Sequence, residues 1–216
     1  MPLDPLHAEV LRIAAGLPEA RTIALAGGGA MLAHGIVERT TRDVDLFTDR
    51  DADEAVRVAA ALRTALAGAG KTVEPAGRPP HENRFVVVDG DTGAQVLVEV
   101  FPDGGRLRDP VRLEVGPVLH PDDLAADKVL AMWGRGEPRD FVDVVALLVI
   151  RSPELLLDLA GRKDAGFTVD SVAGALSTVE RLSAERWTAA GIAPERARHV
   201  RETILAWRDR LVNGPA

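Results

Sequence analysis

The patterning of the chain changes at Pro121. Before it, short apolar runs alternate with stretches of helical spacing; after it, every apolar pattern recurs at helical spacing. Such a chain can hide its apolar faces as a sheet covered by helices, followed by helices packed on helices. Residues 5–16 read as an amphipathic helix, and Thr22–Gly29 as a short apolar strand ending in glycines. Ala30–Val37 reads as helical, Asp43–Phe47 as a strand and Asp53–Ala67 as a strong helix. Arg84–Asp89 and Gln95–Phe101 are β-rich and joined by Asp-Gly-Asp-Thr-Gly, a hairpin turn, and residues 111–119 add a strand. Helices are then expected at Asp122–Trp133, Arg139–Ile150, Pro153–Ala160, Ser171–Arg186 and Pro194–Val212. The expectation is an α/β (α+β) fold: a mixed sheet with flanking helices over residues 1–120, then a helical region, 121–216, packing on that core.

Composition narrows the function classes. With 216 residues, 46% of them hydrophobic, the chain can bury a substantial core. It has no cysteine, which excludes disulfides and thiolate metal sites and makes a cytoplasmic protein the expectation. No run approaches the roughly 18 apolar residues of a membrane span, and the N-terminus lacks the basic-then-apolar pattern of a signal peptide. A net charge of -7 argues against a surface coated in positive charge for nucleic acid, while leaving room for a local basic groove.

Within the first part, alternation puts Asp43 and Asp45 on one face of their strand, with Val44 and Leu46 on the other. Two close carboxylates repel each other and are costly to desolvate, so a divalent cation between them is the natural complement. Asp-x-Asp is common by chance, and a solvated strand end is the plainer explanation. Its context is more particular. Gly27, Gly28 and Gly29 lie upstream, where an apolar strand turns into a helix, and such a turn lets backbone N–H groups approach phosphate closely. Glu99, in an otherwise apolar strand, is either an outward-facing edge residue or a third carboxylate that ligates metal or accepts a proton. Leu66–Thr72, LAGAGKT, looks like the end of a P-loop, but the required first glycine is Ala65 and the segment ends a helix; it reads as a cap and turn.

In the second part, Lys128 sits among Leu124, Val129 and Leu130, and Arg139, Asp140 and Asp143 open the next helix. This is either a surface ion-pair helix or part of a site. Trp187, Arg196, Arg198, Arg201, Trp207, Arg208 and Arg210 offer arginine and aromatic faces suited to RNA, although buried Trp and solvated Arg is the plainer reading.

Taken together, these segments resemble the nucleotidyltransferase superfamily, the fold of DNA polymerase β. Gly28-Gly29, a gap of thirteen residues, then Asp43-Val44-Asp45 carries the superfamily resemblance. Arg39, Thr41, Asp43 and Asp45 at alternate positions after His34-Gly35, together with Lys128 and Arg139-Asp140-x-x-Asp143, look like the AbiEii family of type IV toxin–antitoxin toxins, which includes the MenT toxins. The likeness spans roughly residues 20–150. It implies a nucleotidyltransferase mixed sheet and transfer of a nucleoside monophosphate from an NTP to a hydroxyl, with release of pyrophosphate. On this resemblance Asp43, Asp45 and Glu99 hold Mg²⁺, with Lys128 and Asp143 completing the catalytic set. Gly27, Gly28, Gly29, Arg39, Thr41, Lys128 and Asp140 meet the nucleotide, and His34 packs locally. The implied acceptor is the 3′ end of tRNA, and the implied partner a cognate antitoxin. The alternative is a superfamily enzyme acting on a small molecule, such as an aminoglycoside or lincosamide; an acidic chain suits a cationic aminoglycoside.

Overall fold

The computed structural model describes residues 3–39, 41–77 and 81–213. The chain divides into two compact units, Met1–Leu124 and Ala125–Ala216.

The first unit is built on a seven-stranded sheet. Its strands are β1 (Ile23–Leu25), β2 (Asp43–Thr48), β3 (Thr72–Pro75), β4 (Arg84–Val88), β5 (Gln95–Pro102), β6 (Val111–Leu113) and β7 (Gly116–Val118). The order β3-β4-β5-β2-β1-β7-β6 places β2 near the middle. The sheet is mixed: β2 runs parallel to β5 and β1 to β7, while β1–β2, β3–β4, β4–β5 and β6–β7 are antiparallel. Among the described residues, three α-helices lie wholly within this unit: α1 (Pro5–Ala15), α2 (Gly27–Ala33) and α3 (Ala52–Gly68).

The central strands alternate as the sequence implies. Val44, Leu46 and Thr48 of β2, Val96, Val98 and Val100 of β5, and Phe85 and Val87 of β4 are all buried. The helix α3 meets β5 and β2 with Ala55, Val58, Ala59, Leu62 and Leu66, the stripe expected of one helical face. Each large apolar side chain buried in this way contributes about 1.5–3 kcal/mol. One face of β2 and β5 is thus committed to the core. The acids on the other face are only half-buried.

The second unit is helical. The helix α4 (Pro121–Gly134) carries the chain into it, followed by α5 (Pro138–Leu148), α6 (Pro153–Lys163), α7 (Val169–Ser177), α8 (Ala184–Ala189) and α9 (Pro194–Asn213). Proline opens α4, α5, α6 and α9, where its fixed φ suits the first turn and its missing N–H costs nothing. The core of the unit includes Phe141, Val144, Leu156, Leu176, Ile204, Trp187 and Trp207.

Several boundaries depart from expectation. The helix placed at Ala30–Val37 starts at Gly27 and stops at Ala33, because Gly35 turns left-handed at φ +68°. The Ile36 N–H then bonds back to the Met31 carbonyl, closing the helix end. The single helix expected at Ser171–Arg186 is interrupted. Leu182 turns extended and is buried, and Ser183 caps α8 by accepting the Arg186 N–H. The short edge strand β3 was not anticipated, and residues 111–119 form a hairpin, β6–β7, with Gly116 at φ +109°. LAGAGKT ends α3: Gly70 is left-handed, and the Lys71 N–H bonds to the Leu66 carbonyl.

Candidate active site

Parallel pairing of β2 and β5 aligns Asp43 with Leu97 and Asp45 with Glu99. With alternating side chains, Asp43, Asp45 and Glu99 therefore share one face of adjacent strands. Each offers a carboxylate oxygen, and these oxygens lie within 4.8 Å of one another. Glu99 is not on an edge strand: β5 is internal to the sheet, and the Glu99 carboxylate lies beside the two aspartates.

The glycines close the same corner. Gly27 opens α2 at φ +56°, and a Cβ there would lie 1.7 Å from Asp45 Oδ2. The Asp45 carboxylate occupies the space that any other side chain at residue 27 would need. The backbone confirms the proximity, since the Ala26 N–H donates to the Asp45 carbonyl at 2.8 Å. Beside Gly28, Thr41 Oγ1 stands 3.1 Å and the Arg39 guanidinium nitrogens 3.4 and 3.5 Å from where a Cβ would be. Thr41 is buried and donates its hydroxyl to Asp43 Oδ1 at 2.7 Å. Gly27, Gly28, Arg39, Thr41, Asp43 and Asp45 are thus one neighbourhood. Gly29 instead packs on Leu25, whose Cδ1 would be 3.0 Å from a Cβ at residue 29. His34 caps α2, and its Nε2 lies 2.8 Å from the Leu119 carbonyl.

One residue here was missed by sequence reasoning. Antiparallel pairing sets Arg84 of β4 opposite Glu99, with Arg84 Nε 3.0 Å from Glu99 Oε1. That distance makes an ion pair, although the Nε–H is misaligned for a hydrogen bond. Nothing in the local sequence marks Arg84, because the register that pairs it with Glu99 is a property of the sheet.

In the second unit, Lys128 Nζ lies 2.9 Å from Asp143 Oδ2, and both side chains are buried. This is not the solvated ion-pair helix that was the plainer expectation. Asp143 pairs across helices with Lys128, while Arg139 donates to the Ala190 carbonyl at 3.4 Å. Asp140 has a structural role: it accepts from Arg135 through both oxygens at 2.7 and 2.8 Å and from the Glu137 N–H at 3.0 Å. It thereby caps α5 and holds the turn before it. A second buried cation, Lys163, pairs with Asp127 at 2.8 Å, next to Lys128 on α4. Trp187 and Trp207 are 2% and 1% exposed, so neither ring presents a face to a base. Arg201 donates to the Leu182 carbonyl, and Arg208 pairs with Glu180 and Asp209. Among the described residues, no helix is long and apolar enough to cross a membrane.

Comparison with known proteins follows the same lines. The family model described as nucleotidyl transferase AbiEii toxin, type IV toxin–antitoxin system, matches residues 10–208. The chain belongs to this family. It is therefore a nucleotidyltransferase of the AbiEii toxin group, with an NTP as substrate and an antitoxin as the family's counterpart. Solved structures share its fold at low identity. JHP933 from Helicobacter pylori is 14% identical, with 98% of this chain and 95% of that one covered at a TM-score of 0.56. A second H. pylori structure, solved as a candidate nucleotidyltransferase, is 13% identical over 98% of this chain and 97% of that one, at 0.58. The nucleotidyltransferase toxin MenT4 from Mycobacterium tuberculosis is 16% identical over 97% and 90%, at 0.51. No protein in a search of curated sequences matches the chain.

Proposed function

We propose that this AbiEii-family chain transfers a nucleoside monophosphate to the 3′ end of tRNA in a Mg²⁺-dependent reaction. The observation that carries the metal reading is the convergence of Asp43, Asp45 and Glu99, with ligand oxygens within 4.8 Å. Three carboxylates form a hard, all-oxygen donor set, which suits Mg²⁺ or Mn²⁺ and not the softer metals. Bound there, Mg²⁺ would supply charge neutralisation for the triphosphate and the leaving pyrophosphate. The tRNA acceptor rests on the resemblance to MenT-like toxins.

The chain's own residues do the rest. Thr41 orients Asp43 through its hydroxyl. Gly27 lets Asp45 approach the backbone, and Gly28 keeps the space beside Arg39 and Thr41 open for phosphate. The first N–H groups of α2 have no partner inside the helix, and they face the same need for acceptors. Glu99, the third carboxylate, ligates the metal or accepts the proton of the attacking hydroxyl. The family resemblance gives Lys128 the nucleotide's phosphates, and within its own unit Asp143 pairs with it at 2.9 Å. Asp140 acts through α5 as a positioning residue.

The test is incubation with total tRNA, Mg²⁺ and each labelled NTP in turn, with Asp43→Asn as control. Label entering tRNA with one NTP, and absent with the variant, is the expected result. Label moving instead to an added aminoglycoside or lincosamide would replace the tRNA acceptor with a small molecule. Transfer unchanged in Asp43→Asn would refute the assignment of the site.

A further inference from the structure

We propose that Arg84 is a built-in counter-ion of the carboxylate cluster and competes with the metal ion for Glu99. This inference rests on reading Asp43, Asp45 and Glu99 as the metal site.

Three carboxylates whose oxygens lie within 4.8 Å repel one another when no cation stands between them. Asp43 receives the Thr41 hydroxyl, a neutral donor that eases its charge without cancelling it. Glu99 receives a full positive charge from Arg84 at 3.0 Å. The pair is written into the sheet, because antiparallel register places residues 84 and 99 directly opposite on β4 and β5. Glu99 is also the register partner of Asp45 on its other side. Glu99 thus stands between a guanidinium on one neighbouring strand and an aspartate on the other.

Arg84 holds Glu99 directly and stands in the way of a metal ion that would take that carboxylate. It must withdraw or share the carboxylate. Exposure favours withdrawal: the Arg84 side chain is 39% exposed and the Glu99 side chain 16%, so the arginine reaches in from the wetter side. A metal ion that takes Glu99 as a ligand breaks this ion pair and meets the repulsion of a nearby cation. Arg84 therefore lowers the cluster's affinity for a bare cation. Once displaced, it presents a five-donor fork to a phosphate, so a cation arriving with a triphosphate meets less opposition than one arriving alone.

The experiment is Mn²⁺ binding without nucleotide, read from the free-ion paramagnetic resonance signal, on wild type, Arg84→Gln, Arg84→Lys, Glu99→Gln and Asp45→Asn. Far-UV melting is recorded on each variant. Arg84→Gln is expected to bind Mn²⁺ about three- to tenfold more tightly, the range expected for losing a part-exposed ion pair plus cation repulsion. Arg84→Lys keeps the charge and stays near wild type. In a Glu99→Gln background Arg84→Gln tightens binding by less than it does alone, since the contested ligand is gone and only the repulsion of a nearby cation is relieved; this holds even if the single Arg84 variant melts early. Equal or weaker binding by a folded Arg84→Gln would overturn the proposal and make Arg84 an orienting residue for Glu99. Wild-type Mn²⁺ binding that is absent, or unaffected by Asp45→Asn, would sink the metal-site reading itself and the inference with it.

Discussion

Gly27 is the position where backbone conformation and site geometry make the sharpest joint demand, and Gly27→Ala measures it. Residue 27 sits at φ +56°, where an L side chain costs about 1–2 kcal/mol. The added Cβ would also stand 1.7 Å from Asp45 Oδ2 and 2.6 Å from its Cγ, so the carboxylate must move. Forcing atoms into a filled space typically costs about 1–3 kcal/mol, giving a total of about 2–5 kcal/mol. For a chain of this size that lowers Tm by about 4–20 °C. Gly35 separates the two causes: it lies at φ +68° with nothing within 4 Å of its would-be Cβ, so Gly35→Ala pays the backbone term alone. Asp45→Ala removes the two nearest obstructions, Oδ2 and Cγ, and keeps Asp45 Cβ at 3.1 Å. A double-mutant cycle should therefore show strong coupling: in the Asp45→Ala background, Gly27→Ala should cost about 1–2 kcal/mol, as Gly35→Ala does. Denaturant unfolding of the four proteins in the cycle, plus Gly35→Ala, is the assay. Additive costs, or a Gly27→Ala protein that melts with wild type, would show that Asp45 does not occupy the space at residue 27.

Two further predictions concern ion pairs. Lys128→Ala or Asp143→Ala should each destabilise the chain by about 3–5 kcal/mol, because each removes one partner of a buried ion pair. Lys128→Met with Asp143→Leu should cost markedly less than the sum, as chemical denaturation will show; additive losses would refute a direct pairing. Lys71 bridges Asp89 and Glu9, and its ammonium, with the Thr92 amide and hydroxyl, holds the Asp89 carboxyl below the usual carboxylate range. A depressed folded-state pKa gives stability that is complete above the ordinary value of about 4 and is lost as pH falls below it. Asp89→Asn should therefore be less stable than wild type at neutral pH, with the gap in Tm narrowing steadily below about pH 4. A gap that stays constant down to low pH would contradict the pairing.

Local chemistry made much of this protein legible in advance. Alternation of Asp43 and Asp45 with Val44 and Leu46 marks a half-buried strand, and the structure has β2 there. The apolar stripe of α3 and the presence of helices after Pro121 were likewise readable, because helical spacing acts within a few residues. Helix ends were less legible. Gly35 ends α2 early through a left-handed turn, and burial of Leu182 breaks the helix expected at 171–186, a choice that depends on what surrounds the residue.

What the sequence alone determined, then, was the inventory: glycines that permit close approach, a pair of acids on one strand face, a lone Glu99, a Lys on one helix, and Arg139, Asp140 and Asp143 on the next. Tertiary structure decided their company. Parallel pairing of β2 with β5 set Glu99 beside Asp45, and antiparallel pairing of β4 with β5 set Arg84 against Glu99. Helix packing gave Asp143 to Lys128 and left Asp140 to Arg135. The physical reason is the range of the forces: propensity and capping are local, whereas strand register brings together residues as distant in sequence as Asp45 and Glu99. A shift of one residue in that register would have turned the third carboxylate away from the other two.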